Sequence, residues 1–156
     1  MDINMTEDVQ NSLKDEGFKI EEIQELIEKA ESTGTKLKHK SEGTFIAKED
    51  FENLTRYAVY TTSDGELTLC SVYAHKMNIN GPTGGNIHDV EYDDKSEWIC
   101  QKCNEAALER NVDLSYMGVT RPGPALVCPD CGEIYVSEGV AKTLKTAEGI
   151  LEEKRA

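Results

Sequence analysis

The chain is 156 residues long, 38% apolar and formally −13 at neutral pH. Its length fits one ordinary domain or two small ones, and its charge argues against nucleic-acid binding, because the Lys and Arg residues are interleaved with more numerous carboxylates. No apolar run approaches the roughly 18 residues of a membrane helix. The opening "MDINMTEDVQ" is acidic and polar rather than a secretory signal, so the compartment expected is the cytoplasm, where thiols stay reduced.

Taken in chain order, "TEDVQNSLKDEGF" predicts a short helix that begins at Thr6 and stops near Gly17. "KIEEIQELIEKAESTG" places Ile20, Ile23, Leu26, Ile27 and Ala30 on one stripe, with Gly34 where a helix C-terminal glycine belongs. The carboxylates between them fall on the polar face and read as solubility rather than acid/base catalysis. His39, in "KLKHK", reads as part of a solvated basic loop. "RYAVYTT", "SDG" and "ELTLCSVYAHKMNI" predict a β-hairpin turned at Asp64-Gly65. Strict alternation would put Leu67, Leu69, Ser71, Tyr73, His75, Met77 and Ile79 on one face of its second strand. Tyr73, His75 and Met77 are the candidate partner contact there, although His75 fits a structural histidine better. Cys70, alone in this apolar segment, is expected to be a small buried hydrophobe.

A linker is expected over residues 81–97, within "NINGPTGGNIHDVEYDDKSE", where Gly-Pro, Gly-Gly and Asp-Asp interrupt any apolar period. The charge splits there too, net −10 over residues 1–95 and −3 over 96–156. "GPTGG" lacks the Lys-Ser/Thr and the strand-to-helix setting of a phosphate loop. His88 could join a metal only if the linker folded back. Beyond it, "NVDLSYMGVTRPGPALVC" predicts two short strands with a turn at "RPGP". "SEGVAKTLKTAEGILEEKRA" predicts a helix capped by Ser137, with Val140, Leu144, Ala147, Ile150 and Leu151 on its apolar stripe.

The most specific signal is the pair of Cys-x-x-Cys motifs, "WICQKC" and "CPDC", which contain Cys100, Cys103, Cys128 and Cys131. Two such turns can converge four thiolates into a closed tetrahedral site. Asn104 and Gly132, the residues after each pair, both tolerate the left-handed backbone that such a turn demands. A disulfide-exchange role would need a helix after "CPDC", whereas "GEIYV" reads as a strand; structural disulfides do not suit the cytoplasm. A bound metal is therefore expected, zinc in the first place and iron as the alternative, since both accept four thiolates. Zinc would be a structural staple, and iron would make the chain a rubredoxin-like electron carrier. Neither would make it an enzyme.

Trp98 and Ile99 before the first pair and "VCPDCG" at the second resemble the metal-binding turns of both rubredoxins and zinc ribbons, while "CNEAALE" departs from the rubredoxin pattern of glycine and an aromatic. Residues 98–156, with W-x-C-x-x-C, "LSYMG", C-P-x-C-G and a terminal helix, resemble a family of small zinc-ribbon redox proteins of anaerobic bacteria. Members accompany molybdenum-dependent aldehyde oxidoreductase-type systems, which implies an accessory subunit of a larger redox enzyme. "IQELIEKAESTGTKL", "YAVYTT" and "SVYAHKMNI" are similar, more faintly, to an accessory domain of iron–sulfur flavoprotein oxidoreductases. The fold expected is therefore α+β: a small helix-plus-antiparallel-sheet domain over residues 1–80, the linker, and a rubredoxin-like or zinc-ribbon domain with a C-terminal helix over residues 98–156.

Overall fold

The computed structural model describes residues 3–51, 54–82 and 95–155. In chain order the elements are β1 (Ile3–Met5), α1 (Glu7–Glu16), α2 (Ile20–Thr33), β2 (Lys36–His39), β3 (Thr44–Phe51), β4 (Leu54–Ser63) and β5 (Glu66–His75). They continue with β6 (Asn78–Pro82), β7 (Lys95–Cys100), β8 (Glu105–Tyr116), β9 (Val119–Val127), β10 (Ile134–Tyr135) and α3 (Glu138–Arg155). The local signals explain the first helices. The Thr6 side chain accepts from the Val9 N–H, and α1 stops at left-handed Gly17, as α2 does at Gly34. Asp64 and Gly65, both at positive φ, turn β4 into β5.

The strands form one sheet in the order β1-β5-β4-β3-β2-β7-β8-β9-β10, with β6 pairing to β8. The pairings are antiparallel apart from β1, which lies parallel to β5. This corrects the expected architecture. In place of a small helix-plus-antiparallel-sheet domain followed by a rubredoxin-like or zinc-ribbon domain stands, among the described residues, a ten-stranded mixed sheet with three helices, 49% strand and 30% helix. The physical reason lies at β2, whose free edge takes up β7 through Leu37–Cys100, Lys38–Ile99 and His39–Trp98. A strand edge left open must satisfy its N–H and C=O groups somewhere, and here it does so with residues some sixty positions away in sequence, on the order of 200 Å of extended chain. The expected linker falls for the most part on residues 83–94, which lie outside the described residues, as do His88 and most of "GPTGG".

Two further expectations are corrected. First, Val59 pairs with Ser71 but Tyr60 pairs with Leu69, so Cys70 is an extra residue that bulges from β5. The bulge reverses the alternation: Leu67, Leu69 and Val72 join the core beneath α1 and α2, while Tyr73 joins the core on the other face. The seven residues therefore do not share one face, and Cys70 is exposed rather than buried. Second, "RPGP" is no turn but the middle of β9, which turns from β8 at Met117-Gly118 instead. Among the described residues β9 pairs over 119–125 with β8 alone, and such an edge tolerates Pro122 and Pro124 because no partner there needs their missing N–H groups.

Helix α1 lies over β5 and α2 over β3 and β4, burying Leu13, Ile23, Leu26 and Ile27 against Phe45, Ala58 and Tyr60. On the opposite face the sheet curls so that β9, β10 and α3 cover β3, β4 and β5. Leu37, Tyr57 and Tyr73 share that core with Val127, Tyr135 and Leu144. Polar bonds fix the closure: the Tyr73 hydroxyl donates to the Val136 carbonyl at 2.6 Å, and Lys48 Nζ donates to the Ile134 carbonyl at 2.5 Å. Of the predicted α3 stripe, Leu144 is buried and Val140, Ala147 and Leu151 pack against the same core, whereas Ile150 is 50% exposed.

Candidate metal centre

Two strand-to-strand turns carry the four cysteines. In the first, β7 ends on Cys100 and the chain reverses into β8. The Asn104 N–H returns to the Cys100 carbonyl at 2.7 Å, and Asn104 is left-handed at φ 57°. In the second, between β9 and β10, the Gly132 N–H bonds the Cys128 carbonyl at 3.0 Å with Gly132 at φ 79°, and the Cys128 N–H bonds the Glu133 carbonyl at 2.9 Å. A β-carbon next to the carbonyl makes this conformation costly for most residues, so Asn and Gly occupy it. The β8–β9 pairing brings the turns together across the residues that separate them.

The four Sγ atoms all lie within 4.8 Å of one another, and Cys100 and Cys131 are 3.9 Å apart. Thiolates bound tetrahedrally at about 2.3 Å from a metal stand about 3.8 Å apart, so this donor set fits a single four-coordinate ion. None of the cysteines forms a disulfide. Cys100 and Cys128 are buried, and Cys103 and Cys131 are half-buried. Burial pushes the Cys103 thiol up, and bonds to Cys131 and Cys128 push it further. Burial also raises Cys131, against the opposing pull of the Glu133 backbone N–H. At Cys128 burial acts upward too, but the N–H groups of Cys131 and Asp130 outweigh it and the net shift is down. Four ionised thiolates at this spacing repel one another, and a cation among them removes that repulsion.

The other sequence candidates lie elsewhere. Tyr73, His75 and Met77 are buried, at 3%, 1% and 6% exposure. His75 Nε2 is 3.0 Å from the Tyr57 hydroxyl and its Nδ1 is 2.9 Å from the Met77 carbonyl, so both ring nitrogens are engaged within the fold. His39 is not in a solvated loop: it sits on β2, edge-on to Trp98 and 3.1 Å from the Glu97 carboxylate.

Two residues emerge only from the structure. Glu148, buried on α3, accepts from the backbone N–H groups of Lys76 and Met77 at 2.7 and 2.9 Å. Its signal was a carboxylate sitting at helical spacing between Leu144 and Leu151. Lys48 reaches from β3 to the second cysteine turn, and nothing in the local sequence marks it. It lines a cavity of ≈ 490 Å³ that Asp50, Lys76, Asn78, Cys131 and Glu133 also line.

Fold and site together define a mixed-sheet protein with a four-cysteine site of metal-binding geometry. Residues 96–154 match the model of a family described as a domain of unknown function (DUF7479), which covers less than half of the chain. No curated protein and no solved structure matches the chain. Among the described residues, no helix is long and apolar enough to cross a membrane.

Proposed function

We propose that this chain is a non-catalytic, metal-binding accessory subunit of a larger redox enzyme, with a structural zinc ion held by Cys100, Cys103, Cys128 and Cys131. The observation that carries the metal reading is the convergence of four thiols within 4.8 Å of one another, with no other ligand type in the cluster among the described residues. Four protein thiolates leave no coordination position for a substrate, which favours a structural over a catalytic ion. Zinc there would supply cross-linking: it would tie the β7–β8 turn to the β9–β10 turn and hold closed the core that both border. The assignment to a redox assembly rests on the resemblance of residues 98–156 to redox-associated proteins of anaerobes. The acidic surface, net −13, suits a soluble subunit that meets a basic face on its partner.

Metal analysis with a visible absorption spectrum tests the ion. One equivalent of zinc in a colourless protein is the expected result, whereas a red protein that bleaches on reduction would establish the electron-carrier alternative with iron in the same site. Affinity purification from native lysate tests the subunit role. A large oxidoreductase subunit should co-elute in stoichiometric amount, and a chain recovered alone would end that part of the reading.

A further inference from the structure

The part of the chain that matches a family model begins at residue 96, yet both cysteine turns are gripped by residues far upstream of it. On β2, the Lys36 carbonyl accepts the N–H of Gln101, the residue after Cys100, at 3.0 Å, while Leu37 pairs with Cys100 itself. On β3, Lys48 Nζ bonds the Ile134 carbonyl at 2.5 Å and the Glu133 carboxylate at 3.0 Å, and it lies 4.9 Å over the Tyr135 ring. These are the residues on which the chain leaves Cys131. The two grips are neighbours, because Lys36 pairs with Ala47, one residue before Lys48. A single hairpin end therefore spans both turns.

We infer that the β2–β3 hairpin is an integral part of the metal centre, with Lys48 as a positioning residue that sets how tightly the four cysteines hold their ion. This rests on the metal reading given above and extends it to residues outside the cysteine-bearing segment. Lys48, 18% exposed, fixes the peptide geometry after Cys131 through two directed bonds, and its charge is matched by the Glu133 carboxylate it holds. Outer-shell residues of this kind change metal affinity by about 10- to 100-fold when replaced. The first half of the chain then governs metal retention in the second.

The test uses the full chain, loaded with zinc and challenged with a chromogenic chelator. Lys48→Met should transfer zinc at least about tenfold faster and bind it correspondingly more weakly, with an unchanged far-UV spectrum. Lys48→Arg, which keeps the charge and both bonds in reach, should recover most of that loss. Lys76→Met is the control, because Lys76 lines the same cavity but pairs with Glu152 on α3. Glu133→Gln removes the same ion pair from its more exposed end, should shift transfer in the same direction by less, and stands in if Lys48→Met fails to fold. Transfer by Lys48→Met within twofold of wild type, while Cys131→Ser loses the metal, would overturn the inference and leave the metal reading intact. A wild-type chain that holds no metal would remove both.

Discussion

Tyr57 and His75 form a buried hydrogen-bonded pair, hydroxyl to Nε2 at 3.0 Å, on the adjacent strands β4 and β5. A carbonyl can only accept, so the bond from Nδ1 to Met77 fixes the tautomer with hydrogen on Nδ1, and Nε2 accepts from Tyr57. Tyr57→Phe keeps the ring stack on Tyr73 but leaves Nε2 without its donor. We expect a loss of about 1–3 kcal/mol by urea denaturation. A variant as stable as wild type would show that the bond adds nothing beyond packing.

The same pair makes stability depend on pH. Burial lowers the His75 pKa below 6.5, with the nearby Lys48 charge adding to this and the Met77 bond and Asp50 opposing it. The folded state therefore binds fewer protons than the unfolded one just below pH 6.5, and the stability His75 confers above 6.5 is lost as pH falls through its lowered pKa. Glu148 acts in the opposite sense. Burial raises it above 4.5, so its contribution is present at low pH and is lost as pH rises through its folded value. The stability gap between wild type and His75→Gln should narrow as pH drops from 7.5 to about 5.5, measured by urea midpoints. A gap independent of pH would contradict the assignment of His75 as buried and neutral.

Glu148 is predicted to be the anchor of α3. Its carboxylate takes two backbone N–H groups at the corner between β5 and β6, and Glu152, one turn on, binds Lys76 and the Tyr116 hydroxyl. Glu148→Ala leaves the buried Met77 N–H and the half-buried Lys76 N–H without this acceptor and should cost about 1–3 kcal/mol, while Glu148→Gln, which keeps one carbonyl oxygen, should cost less. Hydrogen exchange at the Lys76 and Met77 amides checks the mechanism, since both should lose protection in the alanine variant.

Two glycines should respond with opposite sign. A β-carbon at Gly123 on β9 would stand 2.7 Å from Cδ1 of the buried Leu114, so Gly123→Ala should destabilise by about 1 kcal/mol or more. Gly149, inside α3, has nothing within 4 Å of that position, and Gly149→Ala should stabilise by about 0.5–1 kcal/mol. Thermal midpoints of the two variants should move in opposite directions; a Gly123→Ala midpoint at or above wild type would refute the packing described at Leu114.

Removal of metal should uncouple the cysteine turns from the rest. Cys100→Ser and Cys128→Ser replace the two buried ligands, and either should abolish zinc retention and weaken the near-UV signal from Tyr135 and Trp98, both of which pack in the adjoining core. Retention of one equivalent of zinc by both variants would exclude the four-cysteine set.

What the sequence revealed was local. Thr6, Gly17 and Gly34 bound their helices because caps act within one turn, and Asp64-Gly65 marked its hairpin for the same reason. The four cysteines were legible because the chemistry of the motif and the left-handed Asn104 and Gly132 are set by nearest neighbours. The bulge at Cys70 was not legible: strict alternation continues past it in the sequence, and only the partner strand shows where the register shifts. "RPGP" was misread because proline marks a turn and an unpartnered edge alike. The pairing of β2 with β7, and with it the grip of Lys36 and Lys48 on the cysteine turns, depends on residues far apart in the chain, which no local pattern encodes.

That pairing has a consequence for synthesis. Once β3 has followed β2 from the ribosome, β2 is paired on one edge only, and the strand that closes the other does not emerge until residues 95–100 are made. At about 5–20 residues per second the interval is a matter of seconds, during which the half-made chain presents an unpaired strand and an uncovered sheet face to its surroundings. The nascent protein is therefore most prone to mispairing before the four clustered cysteines exist, and a metal can act only on a chain that has already passed that stage.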